Sequence, residues 1–169
     1  MSLLVTATVF LVAVVLLEFV TYRGRRRAYA KSDAAGIRAY MHNWIEHGSR
    51  VAIWTRDMSW AQNPDTAELL FEKARQRELI LCLPELNELA AKLSQAGAEV
   101  CAYGSDHLEA PASRFTIAFL GRDGSRVAVG RVQGDLHVID EFSAGDHPAF
   151  HMAADLITLV RSLEGRGTR

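Results

Sequence analysis

The chain has 169 residues, a formal net charge of −1 and 23% charged residues, which leaves room for one domain plus an appendage. Charge this close to balance argues neither for nor against nucleic acid, which is not an expected partner. The two cysteines, Cys82 and Cys101, sit in apolar runs without metal-ligand spacing. They read as buried thiols in a reducing compartment, where a bridge between neighbouring strands is geometrically open but not expected.

In chain order, the first feature is the uncharged run Leu3–Leu17, "LLVTATVFLVAVVLL", whose apolar character continues to Tyr22. Some 20 residues make roughly 30 Å of helix, enough to cross the hydrocarbon core of a bilayer. "RGRRRAYAK" follows, and nothing basic precedes, the reverse of a cleaved signal peptide. The expectation is one transmembrane helix over residues 1–22 and a basic juxtamembrane linker over 23–34. The amino terminus then lies outside, and the remaining domain lies cytoplasmic on the cell membrane. Arg23, Arg25, Arg26 and Arg27 set that topology and can hold anionic head groups of the bilayer. Glu18, one turn earlier, either reaches the interface beside an arginine or is buried where anchors associate into a homo-oligomer.

The domain itself is expected over residues 35–165, with 166–169 as a tail. Ser32 or Asp33 can cap a helix whose Ile37, Tyr40, Met41, Trp44 and Ile45 share one face, and Gly48 can end it. The strand "RVAIWT", a polar loop, a helix over about 66–76, the apolar strand "ELILCLP", the helix "ELNELAAKLSQAG" and the strand "AEVCAY" follow. Strands alternating with helices over short links predict a parallel βαβαβ unit with helices on the faces of its sheet. The pattern then switches to "SRFTIAFLG", "SRVAVGRVQ" and "LHVIDEF", separated by "RDG" and "GD", which read as antiparallel hairpins. A closing helix begins near Pro148 and ends around Leu163. The fold class is therefore α/β with a mixed sheet, preceded by one membrane helix.

This order of elements resembles one half of the phospholipase D superfamily. There a strand carries His-x-Lys-x-x-x-x-Asp before a glycine turn and a second strand. Asp123-Gly124 followed by Val127, Val129 and Gly130 fits the turn and second strand. The reacting positions depart from the pattern. Thr116 stands where the histidine is expected and Ala118 where the lysine is, and a two-residue slide offers Arg114, Thr116 and Gly121. In the family the histidine attacks phosphorus and the lysine holds phosphate oxygens. The resemblance therefore implies a degenerate half-domain with no catalytic residues.

Ligands of open α/β sheets sit beyond the carboxyl ends of the parallel strands. Two loops are expected there. One contains Arg56, Asp57, Ser59 and Trp60; the other contains Tyr103, Ser105 and His107. Arg114 and Arg131 flank the hairpin. Together they could form a pocket with two arginines for an anion and an aromatic ring for stacking, suited to a nucleotide or phosphorylated ligand. The plainer alternative pairs Arg56 with a carboxylate and buries Trp60 in the core. His147 and His151, four apart after Asp146, make a poor metal pair, with Asp146 the expected helix cap, and no metal or cofactor is expected. The favoured function is a membrane-tethered, non-enzymatic domain binding a small anionic ligand or a protein partner. The alternatives are an anchored nuclease or phosphodiesterase, and a structural subunit of a membrane complex.

Overall fold

The computed structural model describes residues 25–104 and 111–167, with side chains as far as residue 163. In chain order the elements are β1 (Arg25–Ala30), α1 (Ala34–His47), β2 (Val51–Trp54), a 3-10 turn (Ser59–Ala61), α2 (Pro64–Arg75), β3 (Leu79–Leu83), α3 (Glu88–Gln95), β4 (Glu99–Ala102), β5 (Arg114–Ala118), β6 (Arg126–Gln133), β7 (Leu136–Ser143) and α4 (Pro148–Gly167). The strands form one seven-stranded sheet in the order β1-β7-β6-β5-β2-β3-β4. β2, β3 and β4 run parallel, while every other neighbouring pair is antiparallel. The α/β class and mixed sheet expected from the pattern are present.

Residue parity divides the core. Val51, Ile53, Leu79, Leu81 and Leu83 point to the face covered by α1, α2 and α3. Ala52, Trp54, Ile80, Cys82 and Cys101 point to the other face, against Phe150, Ala153, Ile157 and Val160 of α4. Strands buried on both faces must be apolar at consecutive positions, which is why "VAIW" and "LILCL" lack alternation. Helices lie on both faces, as expected, but the second face carries α4 alone.

The helices begin on side-chain caps. The Asp33 carboxylate accepts from the Gly36 N–H at 2.8 Å, Asn63 accepts from Asp65 at 2.9 Å, and Asn87 accepts from Ala90 at 2.9 Å. Asn63 and Asn87 displace the predicted starts: α2 opens with Pro64 in its first turn, and α3 opens only at Glu88. Gly97, at φ +114°, turns the chain from α3 into β4. At α4 the Ala149 N–H donates to His147 Nδ1 at 3.0 Å, so His147 rather than the expected Asp146 occupies the cap.

Two expectations are corrected. The stretch expected as a linker contains β1: Arg25, Arg26 and Arg27 lie opposite Glu141, Asp140 and Ile139 of β7. Arg26 donates to Asp140 at 2.7 Å and Arg27 to Glu141 at 3.0 Å, so the basic run docks onto acidic residues more than a hundred positions away. The predicted tight "RDG" turn is a longer loop over 119–125. β5 stops at Ala118 because Phe119 takes a left-handed conformation, φ 57°. Its ring lies 5.7 Å from the Arg126 guanidinium, which also covers Trp44 at 4.5 Å. The second hairpin turns on Gly134 and Asp135, as predicted.

Among the described residues no helix is long and apolar enough to cross a membrane. Glu18 and Arg23 lie outside the described residues with the apolar run, and so do Ser105 and His107.

Candidate functional site

A cleft with a cavity volume of about 70 Å³, open at its mouth, lies between α1 and the sheet at the carboxyl end of β2. That is smaller than a site enclosing a whole small molecule, so a bound molecule would seat only part of itself there and leave the rest at the mouth. Ile37 and Met41 of α1 form one wall; Ile53, Ala128 and Ile139 form the sheet side. α1 is held over the sheet from below. The Tyr40 hydroxyl donates to Glu141 at 3.1 Å, and Tyr40 stacks on Trp44, whose Nε1 donates to the Thr116 carbonyl at 3.2 Å.

The loop after β2 supplies the third wall. Thr55 donates to the Asp57 carbonyl at 2.6 Å, and Trp60 Nε1 donates to the Thr55 hydroxyl at 3.3 Å. The Asp57 carboxylate accepts from the Ser59 N–H at 3.0 Å and the Ser59 hydroxyl at 2.5 Å, and Arg56 donates to it at 2.9 Å. Partial burial pushes the Asp57 pKa up, but the Ser59 and Arg56 hydrogen bonds outweigh it and hold the group at about 2. Arg56, Asp57 and Ser59 thus satisfy one another and shape the turn that presents Trp60. Trp60 lines the cleft, while Asp57 and Ser59 border a separate shallow trough between the loop and α3.

Two ionisable side chains belong to the cleft itself, Arg114 of β5 and His137 of β7, beside the hydroxyl-bearing Thr55 and Thr116. Arg114 is opposite Gly130 in register, and the His137 ring leans over that glycine. A Cβ at residue 130 would sit 3.2 Å from His137 Nε2, so glycine makes room for the ring. Desolvation, and then the positive charge of Arg114, lower the His137 pKa below 6.5, leaving the imidazole neutral at pH 7. Among the described residues no carboxylate lies within ion-pairing distance of Arg114. Among the described residues the cleft therefore combines apolar walls with one guanidinium that has no carboxylate partner.

The expected two-arginine pocket is not what forms. Arg114 pairs in register with Gly130, so the next residue, Arg131, must point through the opposite face. There Arg131 and Arg26 both contact Asp140, which is 4% exposed. Burial raises the Asp140 pKa, and the two guanidinium groups more than reverse that, so the carboxylate stays ionised. Tyr103 is on the same far face, stacked on Trp54 at 4.6 Å, with its hydroxyl buried and its pKa pushed up to about 12 by burial and by nearby Cys82. Of the nine candidates, Trp60 and Arg114 meet in the cleft.

His137, Met41 and Gly130 were not among the candidates. A signal for them existed: a glycine interrupting "VAVGRV" marks a point where something approaches the strand closely. His147 stacks on Phe142 at 4.2 Å and His151 meets Phe150 edge-on, so both serve packing around the start of α4. Among the described residues no three His, Cys, Asp or Glu side chains cluster to hold a metal ion. Comparison with known proteins gives no matching family model and no matching curated protein.

Proposed function

We propose that this chain is a single-pass membrane protein whose cytoplasmic α/β domain binds a small ligand in the cleft beneath α1 without converting it chemically. The observation that carries the reading is the cleft: an apolar cavity with a guanidinium at one side that has no carboxylate partner among the described residues. Nothing among the described residues there resembles an activated nucleophile. Under the phospholipase D-like reading, the positions matching the family's reacting residues are Thr116, 2% exposed, and Ala118, fully buried. Neither side chain is an imidazole that could attack phosphorus or an ammonium that could hold its oxygens, which favours a binding domain over a phosphodiesterase.

The anchor in this proposal rests on the uncharged run ahead of β1 and the arginines after it. With β1 docked on β7, almost no slack separates such an anchor from the sheet. Strand directions put Arg25 at the end of the sheet opposite the cleft, so a domain hung from that end opens its cleft away from the bilayer.

Membrane fractionation of cells expressing the full chain tests the anchor, and native mass spectrometry of the detergent extract tests the binding role. The expected results are a detergent-requiring protein and a small molecule carried through purification. Recovery in the soluble fraction overturns the anchor. A stoichiometric protein partner with an empty cleft favours the structural-subunit reading. Hydrolysis of a model phosphodiester by the pure protein overturns the non-enzymatic one.

A further inference from the structure

We propose that the ligand of this cleft is an apolar carboxylate, an acyl or aryl body bearing one negative charge, with its carboxylate on Arg114 and its body against Met41, Ile53 and Trp60. The inference rests on the reading of the cleft as a binding site and names the chemistry that fits it.

Charge sets the first limit. Among the described residues the cleft holds a single cation, and His137 is neutral at pH 7. A phosphate dianion or a nucleotide would bring more charge into an apolar cavity than one guanidinium can compensate. A monoanion matches it, and the planar guanidinium can meet a carboxylate through two parallel hydrogen bonds. A cationic ligand would face the uncompensated charge of Arg114. A fully neutral ligand would leave Arg114 half-buried beside apolar surface without a partner.

The remaining polar groups narrow the choice further. Trp60 Nε1 and the Thr55 hydroxyl are engaged with each other and with the Asp57 carbonyl. The Thr116 carbonyl accepts from Trp44, and beyond these the lining offers the Thr116 hydroxyl and the His137 ring. The body of the ligand therefore finds few hydrogen-bonding partners, and a sugar or peptide would leave its own polar groups unsatisfied. An aromatic or aliphatic body displaces water from Ile37, Met41, Ile53 and Ile139.

Equilibrium dialysis tests this with three probes sharing one body: naphthalene-2-carboxylate, naphthalene-2-methanol and naphthalene-2-methylamine. The full chain is held in lipid nanodiscs, with empty nanodiscs correcting for partition into lipid. The carboxylate should bind one per chain and at least tenfold more tightly than the alcohol or the amine. Arg114→Met should abolish that preference while leaving alcohol binding within twofold. Met41→Trp, which fills the cavity from its rim, should weaken all three together and so locate them in the cleft. Equal binding of the three probes, or preference for the amine, overturns the carboxylate assignment and leaves the cleft as a binding site. Binding of none above the empty-nanodisc level overturns the binding reading and this inference with it. If the chain stays soluble without lipid, the same dialysis runs in buffer, so the anchor and the ligand class are decided separately.

Discussion

Gly130→Ala sets two effects of similar size against each other at the floor of the cleft. Gly130 lies inside β6, with a backbone any residue can adopt, so alanine should stabilise the strand by roughly 0.5–1 kcal/mol through reduced freedom of the unfolded chain. Against that, the new methyl would stand 3.2 Å from His137 Nε2 and 3.6 Å from Cε1, closer than ordinary contact, and 3.8 Å from the Arg114 carbonyl. The neighbouring atom is the end of a side chain that borders open space, so the ring can swing toward the mouth. A shift of that kind costs on the order of 0.5–1.5 kcal/mol. The two contributions nearly cancel, and stability in urea should change by less than about 1 kcal/mol. The visible change should be at His137, whose displaced ring is better solvated and titrates nearer 6.5 in an NMR pH series, while naphthalene-2-carboxylate binding weakens. A destabilisation above about 2 kcal/mol with an unchanged His137 titration would refute the reasoning, because the ring would then be locked against the sheet.

Asp140→Asn should destabilise the fold by about 1–3 kcal/mol, since it removes the charge and one of the two acceptor oxygens that Arg26 and Arg131 share and loosens β1 from β7. Because Arg26 is largely exposed, Arg26→Gln alone should cost less than Asp140→Asn, and a double-mutant cycle in urea measures the coupling. Lys73→Met should cost a similar amount, because the buried ammonium holds the Gly48 carbonyl, with that of Ser49 at 3.4 Å, where α1 hands over to β2. The pH dependence follows from His137, which faces Arg114 across β6 and has Tyr29 opposite it on β1. Its folded pKa is below 6.5, so the unfolded chain binds more protons in the window between the two values. The contribution of His137 to stability is complete above pH 6.5 and is lost as pH falls through the folded pKa. Denaturation midpoints against pH should show that slope, and His137→Gln should flatten it. Asp57 behaves in the same direction at lower pH: its contribution is complete above 3.8 and disappears as pH falls through about 2.

Much of the fold was legible because its signals are local. Alternation of strand and helix, the 3.6-residue spacing on α1, Asp33 as its cap, Pro148 at the start of α4 and Gly134-Asp135 between β6 and β7 each act over a few residues. β1 was not legible for the opposite reason. "RRRAYA" has no apolar face of its own and becomes a strand only through acidic partners on β7, far along the chain. The same distance separates Arg27 and Tyr40 from the Glu141 that joins them.

The site divides along the same line. Sequence alone determined that Trp60 follows a parallel strand and that Arg114 opens a hairpin, and it left open which rim of the sheet Arg114 reaches. Only the tertiary structure decided which face each side chain takes, because strand parity is relative until register is known. Register put Arg114 under α1 with His137 and sent Arg131 through the sheet to Asp140. A pocket with two arginines became an apolar cleft with one cation among the described residues, and that difference sets its chemistry.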